Sequence, residues 1–210
     1  MYISVLCSDG GFAVFGGNGG LRMRIIGGTA RGKGLVAPEG MDTRPTSDRT
    51  REALFNILMT KVPDARVLDL FAGSGALSAE ALSRGAQSVT CVDISPKACQ
   101  AIRKNLDLKG VAGEKQVIQS DWQPALGRIA GQFDLVFLDP PYHMTEVYAQ
   151  AFEAICRRGL LAKDGVVVME YEQDAKIPLP ESAEVYDERK YGKARVMFVR
   201  ERSKEGGSAE

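Results

Sequence analysis

The chain has 210 residues, 27 Lys+Arg against 27 Asp+Glu, 44% hydrophobic residues and four cysteines. That length suits one α/β domain with a small appendage, and a neutral total leaves a nucleic-acid partner open because a local patch can carry phosphate contacts. No apolar run approaches the roughly 18 residues of a membrane span. Cys7, Cys91, Cys99 and Cys156 show no C-x-x-C spacing. This argues against a zinc site or a disulfide framework and for a reducing cytoplasm.

Residues 1–22 carry six glycines and no basic n-region, so they make a poor signal peptide and are expected to form a disordered leader ahead of Met23. From 23 to 45 the text is rich in Gly and Arg, with short apolar pieces MRIIGG and GLVAP. It predicts a small basic hairpin arm laid outside the main domain. Residues 22–51 hold seven cations (Arg22, Arg24, Arg31, Lys33, Arg44, Arg49, Arg51) against three acids. A helix is expected after a cap at Thr46 or Ser47, with Leu54, Phe55, Leu58 and Met59 on one face.

Short apolar runs then alternate with helical periods. Strands are predicted at Arg66–Leu70, Ser88–Asp93, Lys115–Ser120, Phe133–Asp139 and Gly165–Tyr171. The helices between them are Ala76–Arg84, Pro96–Leu108, a short one near Pro124–Ile129, and Glu146–Arg158. Such βα units predict a parallel sheet covered on both faces. Glu184–Lys190 and Ala194–Arg200 flank a tight turn at Tyr191-Gly192-Lys193 and pair antiparallel; residues 203–210 read as a frayed tail. The expected domain, 46–202, is therefore α/β: a Rossmann-like, seven-stranded mixed sheet of five parallel strands plus a C-terminal antiparallel hairpin. That outline resembles the class I S-adenosylmethionine-dependent methyltransferases.

Ligands of such a sheet collect beyond the carboxyl ends of its strands. There the text reads Asp69-Leu70-Phe71-Ala72-Gly73-Ser74-Gly75. Glycines at 73 and 75 let backbone approach a ligand closely. The dinucleotide pattern G-x-G-x-x-G fails, because its third position is Ser78. Asp93, 18 residues past Gly75 and followed by Ile94, suits two ribose hydroxyls. Asp121 with Trp122 reads equally as an acceptor for an adenine amine beside a ring or as a helix N-cap beside a packed aromatic. Cofactor contacts are thus expected at Asp69, Phe71, Ala72, Gly73, Gly75, Asp93, Ile94, Asp121 and Trp122.

The fourth parallel strand stops at Asp139-Pro140-Pro141-Tyr142. Prolines end the ladder and add no competing N–H. The Asp139 carboxylate and the Pro140 carbonyl are two acceptors that could hold the N–H groups of an exocyclic amine and aim its lone pair. Tyr142 could stack on the base, a contact worth roughly 1–3 kcal/mol. His143, the only histidine, reads as loop or rim. No metal enters this chemistry.

Together MRIIGGTARGKGL, RPTSDRTREALFNIL, DLFAGSGALSAEALSRGA, FDLVFLDPPY and KYGKARVMFV resemble the RsmD family of bacterial methyltransferases over Met23 to Arg200. The resemblance implies methylation of guanine N2 in small-subunit (16S) ribosomal RNA, with S-adenosylmethionine as cofactor. It places Gly73 and Gly75 at the cofactor's methionine, Asp93 at its ribose and Asp121 at its adenine. The target base falls to Asp139, Pro140, Pro141 and Tyr142. RNA contacts are expected from Arg24, Arg31, Lys33, Arg44, Arg49 and Arg51. The partner would be the RNA free or within a 30S particle or assembly intermediate, and the protein a monomer. Rival readings are an adenine-N6 DNA methyltransferase, which shares DPPY but needs a recognition insert, and a non-catalytic RNA-binding or assembly protein.

Overall fold

Residues 3–6, 12–15, 23–39, 48–141 and 143–203 are described by the computed structural model. Arg44, Thr46, Ser47, Tyr142 and the tail from 204 lie outside them. Within the expected leader, β1 (Ile3–Leu6) and β2 (Phe12–Phe15) pair antiparallel as a sheet of their own. Then follow α1 (Asp48–Ile57), β3 (Arg66–Asp69), α2 (Ala76–Ser83), β4 (Ser88–Asp93), α3 (Pro96–Leu106), β5 (Glu114–Gln119) and α4 (Trp122–Arg128). The chain continues through β6 (Phe133–Leu138), α5 (Glu146–Arg157), β7 (Leu161–Glu172), β8 (Ala183–Tyr191) and β9 (Ala194–Glu201).

The seven-stranded sheet runs β5-β4-β3-β6-β7-β9-β8. β3 pairs parallel with both β4 and β6, and β9 pairs antiparallel with β7 and β8. The chain starts in the middle, winds outward to β5, and returns to the other side at β6. Its order reverses between β3 and β6, where a doubly wound sheet opens its ligand crevice. β7 begins four residues before the expected Gly165, because Leu161 pairs with Phe133 ahead of an irregularity that resumes at Val166 opposite Leu135.

Strand side chains alternate between two cores. Val67, Leu135, Phe137, Val166, Val168, Val196 and Phe198 face α1, α2 and α3. Leu68, Val136, Leu138, Val167, Met169, Met197 and Val199 face α4 and α5. Continuous apolar runs are what a sheet covered on both faces requires. Between β3 and β6, the Arg66 guanidinium donates twice to Asp134 at 2.9 and 3.0 Å, which holds that carboxyl below its usual range.

The arm expected outside the domain is packed into it. Met23, Ile25 and Leu35 are buried in the first core. Among its described residues a single bridge, Arg24 to Gly34, is the arm's β pairing. Its backbone is held by α2: Glu80, itself 0% exposed, accepts the N–H of Ile26 and of Gly27, each at 2.8 Å. Ser83 donates to the Gly27 carbonyl and accepts the N–H of Ala30. Gly28 takes φ +75°, and a Cβ there would come within 1.8 Å of the Ser83 carbonyl oxygen, so only glycine fits.

Glu80 also receives Arg84 Nε at 2.8 Å and faces the fully buried Arg51 at 3.9 Å. Removing one partner of a buried ion pair strands the other charge at a cost of about 3–5 kcal/mol. Glu80→Ala should therefore lower urea-unfolding stability by about that much, and Glu80→Gln, which keeps an acceptor, by less.

Candidate active site

The glycine turn joins β3 to α2. Gly73 takes φ +53° with open space where a Cβ would stand, a cradle into which a ligand can descend. Gly75 takes φ +72°, and its missing side chain would press on Ile102 of α3 at 3.2 Å. One glycine faces the crevice and the other permits helix packing. Asp93 braces the turn: Oδ2 accepts the Gly73 N–H and Oδ1 the Ser95 N–H, both at 2.8 Å. Burial raises its pKa, and those two backbone donors oppose the rise. Each oxygen keeps a second lone pair, so a vicinal diol can still donate to it. Phe71 is half-buried, Ala72 buried, and Ile94, at 68% exposure, offers an apolar face beside Asp93.

Asp139 follows the end of β6. Pro140 is buried and Pro141 exposed, and the Met144 N–H donates to Pro141, not Pro140. Asp139 shares a narrow cleft with Glu170 of β7, walled by Leu54, Leu77, Val168 and Val196. Burial, then Glu170, then Asp69 push the Asp139 carboxyl well above the usual range. A roomier groove between α4 and α5, lined by Trp122, Gln123, Gln150, Glu153 and Arg157, includes none of these carboxylates. Size does not mark the chemistry here; convergent acids in an apolar cleft do.

Residues 23–200 match the family described as Conserved hypothetical protein 95. The chain is 38% identical over 162 residues to ribosomal RNA small subunit methyltransferase D of Escherichia coli K12, covering 77% of this chain and 80% of that protein. The Haemophilus influenzae protein of the same name is 36% identical over 173 residues, 81% of this chain and 89% of that one. The solved structure of Escherichia coli yhhF superposes with a TM-score of 0.74 at 32% identity, covering 86% of this chain and 98% of that one. This chain belongs to that family. Its fold is the Rossmann-like class I methyltransferase fold expected from the strand order.

Within that family fold, several expected positions change meaning. Asp69 is 2% exposed and accepts the Ser78 hydroxyl at 2.8 Å, which ties the end of β3 to α2 beneath the glycine turn. Trp122, 5% exposed, belongs to the core under α4 and α5 and has little surface for an adenine ring. Asp121 caps α4 by accepting the Trp122 N–H at 2.7 Å, and its exposed side chain remains at the crevice. Arg51 is not available to RNA: it is completely buried and donates to the Arg24 carbonyl and to Asp48. Arg24, Arg31, Lys33 and Arg49 are exposed, and so is His143. Tyr142 and Arg44 fall outside the described residues.

Three residues passed over in the sequence prove structural to the site. Asn105 of α3 donates to the carbonyls of Val36 and Ser74 and accepts the Val36 N–H, each at 2.8 Å, tying the basic arm to the glycine turn. Glu80 and Glu170 are lone acids inside apolar runs, ALSAEALS and VVVMEY. A charge at a buried register is the signal that could have found them.

Asp69 makes stability depend on pH. Burial raises its carboxyl to about 7 despite the Ser78 hydrogen bond, so between about pH 4 and 7 the folded state keeps a proton that the unfolded chain has released. Stability then falls as pH rises through that window, by on the order of 4 kcal/mol for this group. Asp69→Asn should remove that share, giving a flatter profile when urea unfolding is compared at pH 5 and pH 8.

Proposed function

We propose that this protein transfers a methyl group from S-adenosylmethionine to the exocyclic N2 of a guanine in small-subunit ribosomal RNA. One observation carries the reading: a glycine turn with an open cradle lies one strand from an aspartate that ends its strand against two prolines. The names of the curated relatives supply the RNA.

The residues present fit the cofactor. Asp93 would accept its ribose hydroxyls, Ile94 would cover its adenine, Asp121 would accept the adenine amine, and the Gly73 cradle would admit its methionine portion. The bound cofactor supplies an electrophilic sulfonium methyl. The conjugated amine is a weak nucleophile, so the protein's task is positioning. Asp139 and the Pro140 carbonyl would accept its two N–H groups and turn the lone pair toward the cofactor side, with Tyr142 stacked on the base. Once alkylated, the nitrogen sheds a proton readily. Asp139, raised by burial and by neighbouring acids, is a competent acceptor for it. A target base must leave its stack or come from a loop to reach this cleft.

The arm and the first turn of α1 supply the RNA contacts. Arg24, Arg31, Lys33 and Arg49 would meet phosphates and set the substrate's register without reading its sequence. Because Asn105 joins the arm to the turn, the arm's cations are tied to the crevice through it. The working partner is small-subunit ribosomal RNA, free or within a 30S particle or assembly intermediate, met by a monomer in the cytoplasm.

Mass-spectrometric mapping of small-subunit RNA from cells lacking the gene should show the loss of one N2-methylguanine; an unchanged RNA refutes the assignment. Asp139→Ala should abolish transfer while cofactor affinity, read by calorimetry, stays near wild type. Charge reversal at Arg31 and Arg49 together should weaken RNA binding at low salt and flatten its salt dependence by about two phosphate contacts.

A further inference from the structure

Glu170 stands beside Asp139 by construction of the sheet. β6 and β7 run parallel with Leu138 opposite Met169, and both of those side chains enter the core under α4 and α5. One residue further along each strand, Asp139 and Glu170 are neighbours that turn to the other face, toward α1 and α2. They line one cleft with Leu54 and Leu77. Glu170 is 8% exposed, and its own carbonyl accepts the Tyr148 hydroxyl from α5, which pins the strand end that carries it. Since the sheet order is β4-β3-β6-β7, Glu170 lies on the side of Asp139 away from the glycine turn and Asp93. A base whose amine sits at Asp139 would extend over β7.

We propose that Glu170 accepts the N1–H of the target guanine while Asp139 accepts from N2, so that two adjacent carboxylates read two adjacent donors. This deepens the guanine-N2 reading and rests on it. Guanine is the common base whose Watson–Crick edge presents an amine and a ring N–H side by side. Adenine presents an acceptor, N1, next to its amine. An ionised carboxylate can only accept, so a ring nitrogen without its proton would set lone pair against lone pair in an apolar cleft. Sites built to bond a substrate N–H reject analogues lacking it by up to about 10⁴–10⁵-fold, because their own buried polar group is left unmatched. Asp139 alone would hold any exocyclic amine; Glu170 makes the site specific for guanine.

The test uses small-subunit ribosomal RNA, both free and reconstituted into 30S particles, carrying either guanine or 2-aminopurine at the methylated nucleotide. 2-Aminopurine keeps the N2 amine but has a bare N1. Wild-type protein should favour guanine by at least about 100-fold in kcat/KM. Glu170→Gln should shrink that ratio at least tenfold and raise the absolute rate on 2-aminopurine, since its carboxamide N–H can donate to N1. The missing O6 of the analogue is common to both enzymes and cancels in the comparison. Cofactor affinity of the variant, read by calorimetry, should stay near wild type. An unchanged ratio with equal losses on both bases would overturn the role of Glu170 and leave the guanine-N2 reading standing. If the variant fails to fold, the wild-type ratio decides: equal rates on the two bases overturn the proposal without any variant. No transfer by wild type to the guanine RNA in either form would instead overturn the guanine-N2 reading itself.

Discussion

The buried carboxylate of Glu80 is where the arm, α1 and α2 meet in one charge cluster. It takes two backbone N–H groups from the arm, one guanidinium contact from Arg84 and the charge of Arg51 from α1. Within the described residues Arg51 Nε and Nη1 have no hydrogen-bond partner, so that guanidinium depends on the opposite charge nearby. Desolvating these groups is expensive, and their mutual attraction offsets the cost only while every partner is in place. α2 thus does two jobs in eight residues: its first turn follows the glycine cradle and its later turns anchor the arm. Moving one moves the other.

That coupling matters because the site is divided across the sheet. The residues suited to a nucleoside, Gly73 and Asp93, stand in the turn after β3 and at the end of β4. The acceptors suited to a base, Asp139 and Glu170, stand just past β6 and within β7. The reversal of strand order between β3 and β6 sets the two groups side by side at the carboxyl ends, as doubly wound sheets do. Burial then raises Asp69, Asp93 and Asp139 together, the first from beneath the turn and the others at its rim. Perturbed acids gathered in this way are a mark of function more than of stability.

Much of this was legible in the text. The parallel strands, the closing hairpin and the two-sided cores follow from apolar runs whose period and length allow little else. The Gly73–Gly75 turn, Asp93 and Asp139 could be placed because each sits where a strand must end, and strand ends are set by local chemistry: glycine, a helix cap, two prolines. Arg51 departs from its sequence reading for the opposite reason. Its neighbours look like a solvated basic run, and nothing local reveals that Glu80, 29 residues later, is folded against it. Trp122 and Asp69 read as cofactor contacts because they adjoin strand ends, yet Trp122 packs into the core under α4 and α5 and Asp69 accepts the Ser78 hydroxyl.

The sequence by itself determined which residues end strands, and so which chemistry reaches the crevice, because backbone pairing and proline or glycine stops act over a few residues. Tertiary structure alone decided which charges stay in water. Arg31 and Arg49 remain exposed while Arg51 is buried, and the arm is drawn into the core instead of lying outside it. Burial depends on what packs from a distant part of the chain, and desolvation, not local pattern, leaves one cation in water and makes another a partner for a buried acid.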